Sequence, residues 1–124
     1  MSAINGTITG VSLIRANGAR KSYLITCDFA AYTGASDTAT VTGIGAAIAA
    51  HTRNGKTNTL RAVVPFGAGY DTNAQAVYFT GTAVQAATIS SDDATGHLAA
   101  AAGTEVSSAT ASKGVEICAV VDES

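Results

Sequence analysis

The sequence predicts a mainly β fold of the β-rich α+β type, an antiparallel β-sandwich or small open barrel with one short helix. Short runs rich in Val, Ile and Thr recur along the chain, separated by turn-forming Gly, Asn, Asp and Ser. Only one stretch places apolar residues at helical spacing. The length of 124 residues fits one domain with a thin core. We therefore expect a single β-rich domain over 1–124 with about seven or eight strands, a helix at about 43–54 and a possible contact arm at 1–7.

The predicted helix has start and stop signals as well as a periodic face. One narrow stripe at positions i, i+3, i+4 and i+7 consists of Ile44, Ala47, Ile48 and His51. Thr42 is the expected N-cap, and Asn54-Gly55 supplies the expected left-handed end, with Arg53 at the negative end of the helix dipole. We expect the helix to pack flat on strands, with His51 partly buried.

A long hairpin is predicted at the start of the chain. The run 3–15 is strand-like and should bend or bulge at Gly10. Asn17-Gly18 is a strong hairpin-turn signal between this run and the run 20–30. In the return strand, alternation places four side chains on one face: Tyr23, Ile25, Cys27 and Phe29.

The remaining chain reads as shorter strands joined by loops. Further strands are predicted at 38–42, 56–64, 75–82, 84–90 and 115–121. Leu60, Ala62 and Val64 are expected on one face of their strand, and Pro65 should end it because proline has no amide to donate. Loops are predicted at 67–73 and 91–96. The segment 98–111 is compatible with a strand, a turn of helix or an arm.

The low share of charged residues limits which functions the chain could have. Charged residues make up only 13% of the chain, about half the usual share, and the net charge is −2. Without a basic run or a Lys/Arg stripe, we expect no nucleic-acid binding. A surface with few charged residues suits a subunit packed among copies of itself or on a larger shell. An ordinary domain whose surface has few charges has the same composition.

No targeting or membrane segment is expected. The sequence has no apolar run near the roughly 20 residues that cross a bilayer, and Met1-Ser2-Ala3 lacks the basic and apolar regions of a signal peptide. We therefore expect no membrane partner, and a protein kept in a cytoplasm or in a particle assembled there.

A glycine pattern opens the helix without the features of a dinucleotide site. The hexapeptide 43–48 follows a predicted strand, as the dinucleotide fingerprint does. Its third glycine is replaced by Ile48, and no acidic residue lies about 20 positions on. We interpret Gly43 and Gly45 as residues that let the helix begin close to the sheet, and we expect no cofactor.

No catalytic or metal set is predicted. His51 and His97 are far apart in sequence and lack ligand spacing with either cysteine. No serine lies in a nucleophile elbow. Three loop carboxylates could bind a hard cation, but their spacing favours turn-forming roles: Asp71, Asp92 and Asp93. We therefore expect no enzyme.

Two further pairs of residues are candidates for contacts. Cys27 and Cys118 permit one intramolecular disulfide or cross-links between subunits, although two free thiols are the default in a reducing cytoplasm. Phe66 and Tyr70, close to loop glycines, could form a platform for a sugar or a neighbouring subunit, or could simply anchor their loop.

The middle third of the chain resembles a known class of proteins. The residues that carry the likeness are 37–48, followed by 53–57 and 59–63. They are similar to small structural proteins of tailed bacteriophage virions, closest to head decoration, or cement, proteins. The resemblance implies a non-enzymatic subunit, often trimeric, that binds the major capsid protein lattice and stabilises the shell after expansion.

These expectations define the contact hypothesis and its alternatives. A virion subunit assembled in the host cytoplasm, forming a homo-oligomer with a trimer favoured, should make its contacts through the first residues and the loop 65–73. Ile4, Phe66 and Tyr70 are the candidate contact residues. The alternatives are another virion component, such as a tail or tube subunit, or a carbohydrate-binding or adhesive module.

Overall fold

The computed structural model of the protein describes residues 3–30, 38–71, 76–80, 88–90, 93–100 and 111–124. These residues form a curled open sheet, a half-barrel, with one helix, which confirms the predicted β-rich α+β class. The elements in chain order are β1 (Ala3–Asn17), β2 (Arg20–Phe29), β3 (Thr38–Val41), α1 (Ile44–Thr52), β4 (Asn58–Gly67), β5 (Gly69–Asp71), β6 (Ala76–Thr80), β7 (Thr88–Ser90), β8 (Asp93–Ala100) and β9 (Ser112–Glu123).

The sheet is built around β2 and β9, which pair antiparallel along their whole lengths. β2 pairs with β1 on its other side, and the other edge of β9 is shared by β4 and β5. From β1 the pairing continues through β3, β8 and β6 to β5, with β7 attached to β8. The four long strands β1, β2, β9 and β4 therefore form one continuous antiparallel wall.

The first hairpin agrees with its sequence signals. Gly18 has φ 63° and makes the turn between β1 and β2. The register shifts between Ile8 and Gly10, as the glycine predicted, and again between Leu13 and Arg15. Ala3–Gly6 of β1 pairs in parallel with β3, so these residues belong to the sheet, and a contact role for 1–7 stays a prediction.

The core lies on the concave side of this wall. The four side chains predicted to share one face of β2 are all buried. They are joined by alternate residues of β9 and by side chains from the shorter strands and the helix: Val115, Ile117, Ala119, Val121, Ala39, Val41, Leu60, Val77, Phe79, Leu98, Ile44 and Ile48. Aliphatic side chains supply most of this core, as expected for a sequence with only three Phe and no Trp.

The helix forms where predicted, but both of its ends differ. Its N-cap is Gly43, at φ 70°, with no side-chain cap, so the prediction of Thr42 as the cap is wrong. Gly55 is left-handed, at φ 73°, but the left-handed residue that caps the C-terminal end is Arg53, with φ 53°. Its amide donates to the carbonyl of Ala49, which closes the last turn.

The helix lies across the open side of the half-barrel. It packs against β4 and β1, the two strands that border the opening. Among the described residues, β1 beyond Gly6 pairs only with β2, and β4 pairs only with β9. The helix therefore covers the concave face at the place where no strand bridges the two edges.

The structure corrects the prediction for β4. The strand continues through Pro65 to Gly67, because β4 is an edge strand, where a proline needs no sheet partner for its missing amide. A register shift between Leu60 and Ala62 also breaks the predicted alternation. Leu60 is buried opposite Val121, whereas Val64 is exposed.

Other boundaries also move. The predicted loop 67–73 contains β5, and the predicted turn 91–96 is occupied from Asp93 onward by β8. β6 and β7 match parts of the predicted strands 75–82 and 84–90, and β9 is longer than predicted. Of the segment 98–111, residues 98–100 belong to β8, and 101–110 lie outside the described residues.

Candidate functional site

A cleft of about 440 Å³ lies between helix α1 and the beginning of β4. This volume falls within the usual range of about 300–1,000 Å³ for small-molecule sites. One wall is a helix face of small residues and the other is the strand with the loop before it. The lining residues are Gly45, Ala46, Ala49, Lys56, Thr57, Asn58 and Thr59.

Asn58 is the unusual residue of this cleft. It is 7% exposed, and neither its Nδ2 nor its Oδ1 has a hydrogen-bond partner. A buried polar group without a partner costs roughly 1–3 kcal/mol, so such groups are rare in folded proteins. The chain therefore holds, beside the cleft, an amide whose polar atoms are shielded from solvent and have no hydrogen-bond partner.

The first turn of the helix contributes positive character to the same cleft. The first i to i−4 bond runs from the Ala47 amide to the Gly43 carbonyl, so the Ala46 amide precedes the helical ladder. The N-cap residue, Gly43, has no side chain with which to cap this end, and the first turn contains no acidic residue. The positive end of the helix dipole is thus not neutralised by a neighbouring carboxylate of that turn.

The fold gathers the basic residues of the chain at the same end of the long wall. Six of the seven Lys and Arg residues lie there, and we call them the basic end: Arg15, Arg20, Lys21, Arg53, Lys56 and Arg61. Of the carboxylates in the described part, Asp122 and Glu123 lie among them. The described side chains of this end therefore carry an excess of four positive charges, although the whole chain is net negative.

Ion pairs organise the basic end. Arg20 donates from Nε and Nη2 to the two carboxylate oxygens of Asp122, at 2.7 and 3.0 Å. Lys21 and Asn54 both donate to Glu123, each at 2.8 Å. These hydrogen bonds lower the pKa of both carboxyl groups from their ordinary values.

Lys56 is bound less tightly to Glu123 than Lys21 is. Its Nζ lies 4.0 Å from Glu123 Oε1, and its side chain is 56% exposed. Because Lys21 and Asn54 already hold that carboxylate, the Lys56 ammonium keeps most of its capacity to donate to another group at the rim of the cleft.

The predicted aromatic contact residues lie at the opposite end of the wall. Phe66 is 59% exposed, and Tyr70 is 62% exposed. Phe66 sits at a register shift between Pro65 and Gly67, and Tyr70 pairs with Lys113 of β9. Their strands meet the same edge of β9 about three residues apart, or ~10 Å at the usual rise of a strand. With Val64, 47% exposed, they form what we call the aromatic edge.

Gly69 fixes the position of Tyr70. A Cβ at this glycine would collide with the backbone of Lys113, Gly114 and Val115. β5 therefore lies against β9 more closely than any other residue type allows at this position. The third predicted contact residue, Ile4, pairs with Ala39 through its backbone in the β1–β3 ladder, and its side chain lies outside the described part.

Cys27 and Cys118 are both free thiols. They belong to paired strands but to different rungs, because Cys27 lies opposite Val115 and Cys118 opposite Leu24. Cys27 is buried in the core and Cys118 is half-buried on the convex face, so their side chains cannot meet. Burial raises the pKa of the Cys27 thiol to about 12 and also raises the pKa of Cys118.

The remaining candidates do not converge on a reactive centre. His51 is exposed, so its predicted partial burial is wrong, and its ring makes an edge contact with Tyr23 at 6.5 Å. The side chains of His97 and Asp93, and the whole of Asp92, lie outside the described part, whereas Asp71 is buried in β5. Within the described ranges, no three His, Cys, Asp or Glu residues come together as a metal site.

None of the helices described is long and apolar enough to span a bilayer.

No local pattern in the sequence indicates the cleft or the basic end. The basic residues are scattered over 15–61 and form no run, so only the register of β1, β2, β9 and β4 brings them together. Asn58 resembled any other strand residue.

Comparisons with protein-family models, curated proteins and solved structures give no match to this chain.

Proposed function

We propose that this protein is a non-enzymatic structural subunit of a bacteriophage virion, of the head decoration or cement type. In this role it attaches to the outside of the major capsid protein shell and stabilises it. The observation that carries the proposal is the aromatic edge, two aromatic side chains about 60% exposed on two strands that pair with the same edge of β9. Exposed Tyr and Phe on a rigid support are typical of interface centres.

The two open strand edges support an assembly role. β1 beyond Gly6 and the outer side of β4 present backbone groups without a strand partner in the described part. Such edges are usually protected or covered, and neighbouring subunits are one way of covering them.

The proposed partners are further copies of this chain and the capsid lattice. We propose a homo-oligomer, with a trimer favoured, in which many weak contacts repeated by symmetry give avidity. The proposal places the protein in the virion after assembly in the host cytoplasm, and it includes neither nucleic-acid nor membrane binding.

The first experiment measures the solution mass by light scattering behind a sizing column. A discrete symmetric oligomer agrees with the proposal, and its loss in Phe66→Ala or Tyr70→Ala would assign the contact to the aromatic edge. Leu13→Ala is the matched control, because it removes an equally exposed apolar side chain at the other end of the wall.

The second experiment measures co-sedimentation with expanded phage shells. Tyr70→Ala should weaken attachment about tenfold or more per contact, as interface aromatics commonly do, while the free energy of unfolding changes by under ~0.5 kcal/mol. A monomer that does not bind shells, with or without Tyr70, contradicts the proposal.

The same aromatic edge favours one second function, a carbohydrate-binding or adhesive module. Exposed aromatic rings can stack on sugar faces as well as on protein. Specific retention on a glycan array, lost in Tyr70→Ala and kept in Leu13→Ala, would support this function. Attachment to tail or tube components rather than to shells would instead indicate another virion component.

A further inference from the structure

We infer that this protein binds a second copy of itself head to tail, with the basic end of one copy on the aromatic edge of the next. The inference rests on the homo-oligomer of the proposed function and names the two different surfaces that meet in it. Those surfaces lie at opposite ends of the same wall. Glu116, beside the aromatic edge, and Asp122, at the basic end, are six residues apart on β9, or ~20 Å at the usual rise of a strand.

Three arginines cross the wall at the basic end, and we call them the arginine row: Arg15, Arg20 and Arg61. Arg20 lies opposite Asp122, and Arg15 lies opposite Ser22, so strand alternation places both arginines on the convex face. Arg61 reaches the same carboxylate, with its Nε 3.4 Å from Asp122 Oδ2. One carboxylate therefore serves two guanidinium groups, and the row keeps an excess of two positive charges.

Arg15 is the member of the row that is left to bind a partner. It is exposed on β1, and among the described residues it makes no ion pair. A guanidinium group offers five donors and a flat face that stacks on aromatic rings. Arg20 and Arg61 are more than half exposed, so their outer faces are also open to a ring.

The aromatic edge offers the groups that such a row binds. Phe66 and Tyr70 are about 60% exposed. A Cβ at Gly67 would collide with Glu116 Oε1, so this carboxylate lies against the residue that follows Phe66. Glu116 makes no ion pair within the described part of the chain. A carboxylate beside exposed rings binds arginine through an ion pair and a cation–π contact together.

The charge distribution favours contact between unlike ends. The basic end carries an excess of four positive charges and the whole chain is −2, so the remaining residues carry −6. In the described part, the end with the aromatic edge contains Asp28, Asp71 and Glu116 against one lysine, Lys113. Two copies that met through the same end would bring like charges together, whereas unlike ends join opposite charges.

The curl of the wall disfavours a two-fold pair in which both ends meet at once. Two convex faces laid antiparallel touch at their centres, and their ends curve away from each other. Each pair of copies therefore joins one basic end to one aromatic edge and leaves one unlike end free on each copy. Repetition of such a heterologous contact gives a closed ring, of which a trimer is one, or an open filament.

The test mixes two variants that break different halves of the contact. Arg15→Glu cancels the excess charge of the arginine row, and Tyr70→Ala removes a ring of the aromatic edge. Each variant alone should have the solution mass of a monomer, measured by light scattering behind a sizing column at low ionic strength. An equimolar mixture should form a dimer, because the intact aromatic edge of one variant meets the intact basic end of the other. Circular dichroism checks that each variant is folded.

Single substitutions make the contact specific. Arg15→Gln should weaken self-association about fivefold or more, the scale of one arginine contact at an interface. Lys56→Gln removes the same charge from the same end, but Lys56 lies beside Glu123 rather than in the arginine row, so it should change self-association by less than about twofold. Leu13→Ala should have no effect, since Leu13 lies opposite the inward-facing Tyr23. Equal weakening by Arg15→Gln and Lys56→Gln would overturn the inference, because net charge alone would then drive association.

Three further results also overturn the inference. The first is an Arg15→Glu variant that keeps the mass of an unaltered oligomer, which would leave the proposed function intact and place the contact elsewhere. The second is a mixture of the two variants that contains only monomers. The third is an unaltered protein that is itself a monomer, in which case co-sedimentation with shells alone decides the proposed function.

Discussion

Asn58→Leu should make the protein more stable, although it removes a buried polar residue. The substitution replaces the amide by the aliphatic side chain of most similar branching, at a position that is 7% exposed. In the folded protein neither Nδ2 nor Oδ1 is hydrogen-bonded, whereas in the unfolded chain both are bonded to water. Folding therefore loses hydrogen bonds at this residue and regains none.

The expected size of the stabilisation follows from the hydrogen bonds that Asn58 loses on folding. Leaving a buried polar group without a partner costs roughly 1–3 kcal/mol. The leucine is larger than the amide, and the adjoining cleft provides room for part of the added volume. Allowing for some residual strain, we expect the free energy of unfolding to rise by about 1–2 kcal/mol, which corresponds to an increase in Tm of roughly 4–8 °C for a domain of this size.

The assay is urea unfolding followed by circular dichroism, with the unfolding free energy obtained by linear extrapolation. The slope against urea should not change, because the surface exposed on unfolding is nearly the same. Asn5→Leu is the control, since Asn5 is exposed in β1 and its replacement should change stability by less than ~0.5 kcal/mol. A loss of more than about 1 kcal/mol in Asn58→Leu would refute the reasoning, because it would mean that the amide is hydrogen-bonded in the folded protein.

Three other predictions follow from the strand packing and the ion pairs. Gly69→Ala should destabilise the protein by about 3 kcal/mol or more in the same urea assay, because its methyl group meets backbone atoms that cannot move aside. In labelling with a maleimide, Cys118 should react in the folded protein, whereas Cys27 should react only as fast as the protein unfolds; equal rates would contradict its burial. Asp122 and Glu123 have pKa values below those of the unfolded chain, so their contribution to stability is complete above about pH 5 and is lost as the pH falls through the folded-state pKa values. Asn and Gln at these two positions should flatten the acid side of a plot of Tm against pH, and an unchanged plot would contradict the ion pairing.

Local signals in the sequence predicted the parts of the fold that depend on neighbouring residues. The turn at Gly18, the bulge near Gly10 and the inward face of β2 each follow from residues within a few positions of one another. The helix was located by Ile44 and Ile48, both of which are buried.

Features that depend on distant pairing could not be predicted in this way. From the sequence alone, Pro65 predicts the end of a strand. The strand continues through it because β4 is an edge strand, and this follows only from its pairing with β9. The bulge near Arg61 that turns Ala62 away from Leu60 depends on its register with β9. Phe66 and Tyr70 are exposed in the structure, and their contact role stays a prediction, whereas the cleft needed the helix and β4 to be placed side by side before Asn58 could be recognised.

The position of β9 in the chain has a consequence for biosynthesis. This strand pairs with β2, β4 and β5, and it follows all three of them. The salt bridge between Arg20 and Asp122 joins residues 102 positions apart. A nascent chain therefore holds β2 and β4 without their common neighbour until residues 112–123 have left the ribosome, and sheets closed by such distant contacts form slowly. We expect the growing chain to depend on chaperones that shield apolar strands during this interval.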